Sequence, residues 1–73
     1  MSATLSALSI LLNGEQRRVA AGTTVAGLLE ELGLDRRKVA VERNEAIVPR
    51  STYAGTGLAE GDQLEIVHFI GGG

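Results

Sequence analysis

The sequence predicts an α+β fold: one mixed sheet with one main helix packed across one of its faces. Two kinds of pattern lead there. Leu8, Ile10 and Leu12 alternate with Ser9, Leu11 and Asn13, and the same period of two returns at Val39/Val41 and at Leu64/Ile66, as in half-buried strands. Val25, Leu28, Leu29 and Leu32 fall instead at i, i+3, i+4 and i+7, which lines one face of an α-helix. A hairpin, a crossing helix and later strands bury these two apolar surfaces against each other.

Met1 to Ala7 carry no charge and no firm period, and predict a flexible leader over residues 1–7 ahead of a domain over residues 8–70. Asn13-Gly14 is a hairpin signal, because a type I′ turn needs positive φ at both central positions. The return strand is Glu15 to Ala20 with Val19 inward, and Arg17 and Arg18 read as solvated. Gly22 breaks that strand. Thr23 or Thr24 then caps the helix by accepting a bond from an early amide, and Gly33 ends it in the left-handed conformation. Gly27 inside the helix costs up to about 1 kcal/mol relative to Ala and reads as close packing against the sheet. Asp35-Arg36-Arg37-Lys38 is a solvated polar connection.

A third strand follows at Val39 to Glu42 and a turn at Arg43-Asn44-Glu45. Ala46-Ile47-Val48 is a short strand stopped by Pro49, which suits a sheet edge. Ser51 to Leu58 has no period and predicts a loop, with Tyr53 plugging the core and Gly55-Thr56-Gly57 supplying bends. Those glycines lack the following lysine and the strand-to-helix setting of a phosphate loop. Gly61-Asp62 turns the chain into the last strand, Gln63 to Ile70. Gly71-Gly72-Gly73 close the sequence as a flexible tail over residues 71–73.

Composition narrows the function. Seventy-three residues hold one small domain, which buries only about 60% of its unfolded surface and has little room for a self-sufficient catalytic pocket. Seven basic against nine acidic residues give a net charge of −2, so electrostatics predict neither a nucleic acid nor an anionic membrane as partner. The absence of cysteine excludes disulfides, thiolate metal sites and a cysteine nucleophile. The lone His68 cannot build a multi-histidine site and reads as a polar strand residue. No apolar run approaches the roughly 20 residues of a membrane span and no secretory signal opens the chain, so the expected setting is cytoplasmic.

Two features carry the functional expectation. On the last strand Leu64 and Ile66 point into the core, while Glu65, Val67 and Phe69 point to the side that a sheet with one helix leaves uncovered. Two neighbouring apolar side chains there predict a docking patch, with Glu65 at its rim. Beyond them, Gly71, Gly72 and Gly73 form a thin arm reaching roughly 10 Å. A partner enzyme can thread such an arm into a channel that would clash with any Cβ.

Gly61-Asp62-Gln63-Leu64-Glu65-Ile66-Val67-His68-Phe69-Ile70-Gly71-Gly72-Gly73 resembles the closing strand and tail of the ThiS family, the thiamine-pathway sulfur carriers of the ubiquitin-like β-grasp group. Val41-Glu42-Arg43-Asn44 with Ile47-Val48-Pro49-Arg50, and Gly22-Thr23-Thr24-Val25 with Leu28-Leu29, resemble its central segment and helix start. The resemblance covers about Leu8 to Gly73; Met1 to Ala7 are an extra leader.

The resemblance implies a β-grasp carrier that is a substrate of other enzymes, with no cofactor of its own. A ThiF-like adenylyltransferase would use ATP and magnesium to adenylate the Gly73 carboxylate. A sulfur-donor enzyme would then convert it to a thiocarboxylate, and a ThiG-like thiazole synthase would accept the sulfur. The reacting group is the main chain of Gly73; Gly71, Gly72, Val67, Phe69 and Glu65 serve partner binding, and the free carrier is a monomer. Two other readings stand beside it: a MoaD-like molybdopterin sulfur carrier with the same fold and tail chemistry, and a non-covalent β-grasp binding module whose tail does nothing.

Overall fold

The structure, a computed structural model, describes residues 7–69 of the chain. Strands β1 (Ala7–Leu12) and β2 (Glu15–Ala20) form the expected hairpin. Asn13 and Gly14 turn at φ 51° and 85°, the positive values a type I′ turn demands. β1 starts at Ala7, one residue earlier than its alternation suggested, because Ala7 still pairs with Ala20.

Helix α1 (Val25–Leu32) is capped by Thr24, whose Oγ1 accepts from the Gly27 N–H at 3.1 Å, and ends at Gly33 with φ 72°. Val25, Leu28 and Leu29 are buried, while Leu32 is only half-buried at the last turn. Gly27 differs from its expected role. A Cβ built there meets Thr24 Oγ1 at 3.5 Å and Thr23 Cγ2 at 3.7 Å, ordinary contacts with the helix's own capping segment rather than with the sheet.

A 3₁₀ turn over Arg36–Lys38 leads into β3 (Val39–Arg43), then β4 (Ala46–Ile47), a 3₁₀ helix over Arg50–Gly55, and β5 (Gln63–His68). The Arg50–Gly55 helix replaces the loop expected there. It begins where Thr52 N–H donates to Pro49 O at 2.9 Å, and it delivers Tyr53 to the core, where the ring is 2% exposed. Short 3₁₀ pieces leave no apolar period to read, because they are too brief to show one.

The strand order is β2-β1-β5-β3-β4. β5 lies in the middle, parallel to β1 and antiparallel to β3, and β4 is an edge as Pro49 suggested. Ile10, Val19, Val39, Val41 and Leu64 meet Val25, Leu28, Leu29 and Tyr53 in one core. Ile66 and Leu12 pack against it half-buried. Arg17, opposite Ile10 in the hairpin, lies on the covered side of the sheet at its solvated margin, its side chain 39% exposed, and reaches Glu31 of α1 at 3.6 Å.

Candidate functional site

Because β5 is central, its side chains divide cleanly between two faces. Leu64 is buried beneath α1, whereas Glu65 and Val67 stand on the open face. Pairing continues one step past the strand, where Phe69 N–H donates to Lys38 O at 2.8 Å, so Phe69 falls on the side of Val67. Val67 is 58% exposed and Phe69 52%.

The register adds residues that alternation on β5 alone did not reveal. Glu42 lies opposite Ile47 on one side and Glu65 on the other, placing all three in one row of the open face. Ala40 lies opposite Val67. Leu11 of β1 pairs with Gln63 on the same face. Ile47 is the most exposed of the large apolar residues at 66%. The four exposed large apolar residues among those described, Leu11, Ile47, Val67 and Phe69, thus share one face, and the facing Glu42 and Glu65 carboxylates make its middle negative. The pattern on β5 pointed to two of the four. Ile47 was legible only through its cross-strand neighbours, because a two-residue strand has no period of its own.

Side chains from two hairpin turns hold β5 in place. Asn13 Oδ1 accepts from Ile66 N–H at 2.8 Å, and Asn13 Nδ2 donates to Ile66 O at 3.3 Å. On the other side Asn44 Oδ1 accepts from Gln63 N–H at 2.9 Å. Asn44 takes φ 53° and Glu45 φ 71°, which closes the β3–β4 hairpin as tightly as the first. Asp62, 5% exposed, enters β5 held by Arg43 Nε at 2.8 Å, Asn44 Nδ2 at 3.1 Å and Ala59 N–H at 2.8 Å. Burial pushes the Asp62 carboxyl up, but the Arg43, Ala59 and Asn44 bonds outweigh it and hold it below the ordinary carboxylate range. The sequence marked Asp62 only as a turn residue.

His68 points to the covered side and borders a groove with Leu12, Asn13, Leu32, Leu34 and Ile66. No acid or nucleophile lines that groove beside it. Among the described residues no cluster of three or more His, Asp or Glu is placed to hold a metal, and no helix is long and apolar enough to cross a membrane. The expected tail, Gly71, Gly72 and the reacting Gly73, lies outside the described residues, as do Met1 to Ser6 of the expected leader. The site the structure builds is therefore a surface: an apolar, partly acidic sheet face on a strand anchored from both sides.

The ThiS family model matches residues 10–73. The chain belongs to the ThiS family. It is 38% identical over 66 residues to the sulfur carrier protein ThiS of Escherichia coli, covering 90% of this chain and all of that protein. The crystal structure of the thiamine biosynthesis protein ThiS from Geobacter metallireducens superposes with a TM-score of 0.76 at 30% identity, covering 90% of this chain and 100% of that one. The five-stranded mixed sheet with its single main helix is thus the ubiquitin-like β-grasp of the ThiS family. A thiazole synthase of Paramagnetospirillum magneticum is 58% identical over 66 residues, which span 90% of this chain but 20% of that protein. The chain accordingly spans about a fifth of the length of that thiazole synthase and of a second one, from Magnetococcus marinus.

Proposed function

We propose that this protein is the sulfur carrier for thiazole formation in thiamine biosynthesis, acting as a substrate of partner enzymes and supplying no catalytic side chain. The observation that carries the reading is the ThiS family match, which runs through the triglycine to Gly73. Curated relatives of the same family from Escherichia coli and Bacillus subtilis are named sulfur carrier proteins, which favours the thiamine branch over a molybdopterin carrier.

The chemistry centres on the Gly73 main-chain carboxylate. With a reference pKa near 3.3–3.7 it is ionised at neutral pH and resists nucleophilic attack. A ThiF-like adenylyltransferase overcomes that resistance: a carboxylate oxygen bonds the α-phosphorus of magnesium-bound ATP and pyrophosphate leaves. Sulfur from a donor enzyme then takes the place of AMP, leaving a thiocarboxylate on Gly73. A ThiG-like thiazole synthase accepts that sulfur. Two proteins named thiazole synthase contain a stretch 58% identical to this chain, which supports carrier and acceptor working side by side.

Glu65, Val67 and Phe69, joined by Leu11 and Ile47, dock the adenylating partner and so direct Gly71 and Gly72 into its channel. Glycine suits that passage, since a side chain would narrow it and restrict the backbone. The carrier binds no cofactor itself, is a monomer when free, and works in the cytoplasm.

Removal of Gly72 and Gly73 tests the reading. The truncated protein should still bind its partner through the sheet face yet fail to transfer sulfur in a reconstituted thiazole synthesis. Thiazole synthesis supported equally well by the truncated protein, with sulfur reaching the product without a carrier terminus, would identify a non-covalent binding module instead.

A further inference from the structure

Two arginines far apart in sequence line one concavity. Arg36 opens the 3₁₀ turn before β3, and Arg50 opens the 3₁₀ helix after β4. Together with Ser51 and Ala54 they line a groove of about 450 Å³. The topology explains the meeting. Val48 N–H donates to Val41 O at 2.9 Å, so the segment after β4 runs back along β3 toward its start at Val39, three residues after Arg36.

Three of the other four arginines are neutralised locally, while Arg18, on β2, has no carboxylate partner among the described residues. Arg37 forms a fork onto Asp35 with bonds of 3.1 and 2.9 Å, Arg43 holds Asp62, and Arg17 faces Glu31. Arg36 and Arg50 have no carboxylate partner among the described residues, although the chain carries nine acidic groups and a net charge of −2. Two like charges lining one groove repel each other, and an anion bound there would relieve that repulsion.

We infer that this groove is a binding site for a multiply charged oxyanion of the phosphate class. Each guanidinium offers a planar fork of donors that matches phosphate oxygens in pairs. The Ser51 hydroxyl supplies a further donor, and Ala54 completes the lining without adding charge. The site lies apart from the open face, because the open-face residues do not line it.

The test is a titration of the ¹⁵N-labelled full chain with inorganic phosphate, with pyrophosphate, and with sodium chloride as control. Ionic strength is kept low, where screening lengths reach about 30 Å. The expected result is saturable shifts of the Arg36, Arg50, Ser51 and Ala54 amides with phosphate or pyrophosphate but not with chloride. Tighter binding of pyrophosphate assigns a diphosphate ligand; equal binding assigns a single phosphate group. Replacing both residues, Arg36→Gln with Arg50→Gln, should weaken binding by at least about tenfold, the size of one lost charge-assisted bond. The paired lysine variant, Arg36→Lys with Arg50→Lys, keeps the charge but loses the forks and should bind more weakly than wild type. Absence of saturable shifts, a response equal to that of chloride, or lysine-variant affinity matching wild type would overturn the assignment.

Discussion

Asn13 closes the first hairpin and also bonds both main-chain groups of Ile66, accepting from its N–H at 2.8 Å and donating to its carbonyl at 3.3 Å. One side chain thus does the work of a strand neighbour where the β1–β5 ladder ends at Leu12 and Leu64. Beyond that point β5 carries Val67 on the open face, so the turn residue helps hold the strand from which the exposed apolar residues project.

Asn13→Gly keeps the positive φ but removes these bonds, and should destabilise the fold by about 1–3 kcal/mol. Asn13→Ala should lose roughly 1–2 kcal/mol more, because a Cβ without a polar tip is strained in the left-handed region. Urea denaturation of the three proteins checks the order wild type, glycine, alanine.

Asp62 contributes to acid stability. Its folded pKa lies below its ordinary value of 3.8, so the stabilisation it confers is present above that value and disappears as pH falls through the lower, folded one. Asp62→Asn should lower stability at neutral pH by about 1–3 kcal/mol, since Arg43 loses its charged partner. It should also flatten the acid limb of the stability profile. Denaturation midpoints measured from pH 7 downward check both effects.

Gly27→Ala should stabilise the protein by about 0.4–1 kcal/mol. The helical backbone accepts alanine, and the new Cβ meets only ordinary contacts at 3.5 Å and 3.7 Å. A thermal melt shifted upward checks the expectation; a downward shift would mean that the capping threonines cannot accommodate the methyl group.

Val67→Asp and Ile47→Asp should each weaken the complex with the adenylating partner while leaving the fold intact, because both side chains are more than half exposed. Calorimetric titration with the partner measures this loss. Glu65→Gln should matter less, as exposed ion pairs are worth under about 1 kcal/mol.

The division between what the sequence revealed and what it hid follows the range of the forces involved. The hairpin at Asn13-Gly14 and the α1 face of Val25, Leu28 and Leu29 depend on local backbone preference and period, and both were legible. Tyr53 was legible as a core residue but not as part of a helix, since a 3₁₀ segment of six residues has no repeat to detect. The Asp62–Arg43 pair joins positions 19 apart, and Ile47 reaches the open face only through its register with Glu42. Both arise from strand pairing across the sheet, which no local pattern encodes. The pairing of the part-exposed Arg17 with Glu31 was hidden for the same reason, since Glu31 lies on another element.

The central claim is that the Gly73 carboxylate is the group activated by the partner. Adding one alanine after Gly73 moves that carboxylate about 3.5 Å along the channel and adds a methyl group, whereas misplacement by roughly 1 Å already costs about a hundredfold in rate. ATP–pyrophosphate exchange catalysed by the adenylating partner, run with wild type and with the extended protein, measures the consequence directly. Exchange should be abolished by the added residue, with intact mass confirming that the alanine is still present. Equal exchange rates with the extension intact would contradict a terminal mechanism.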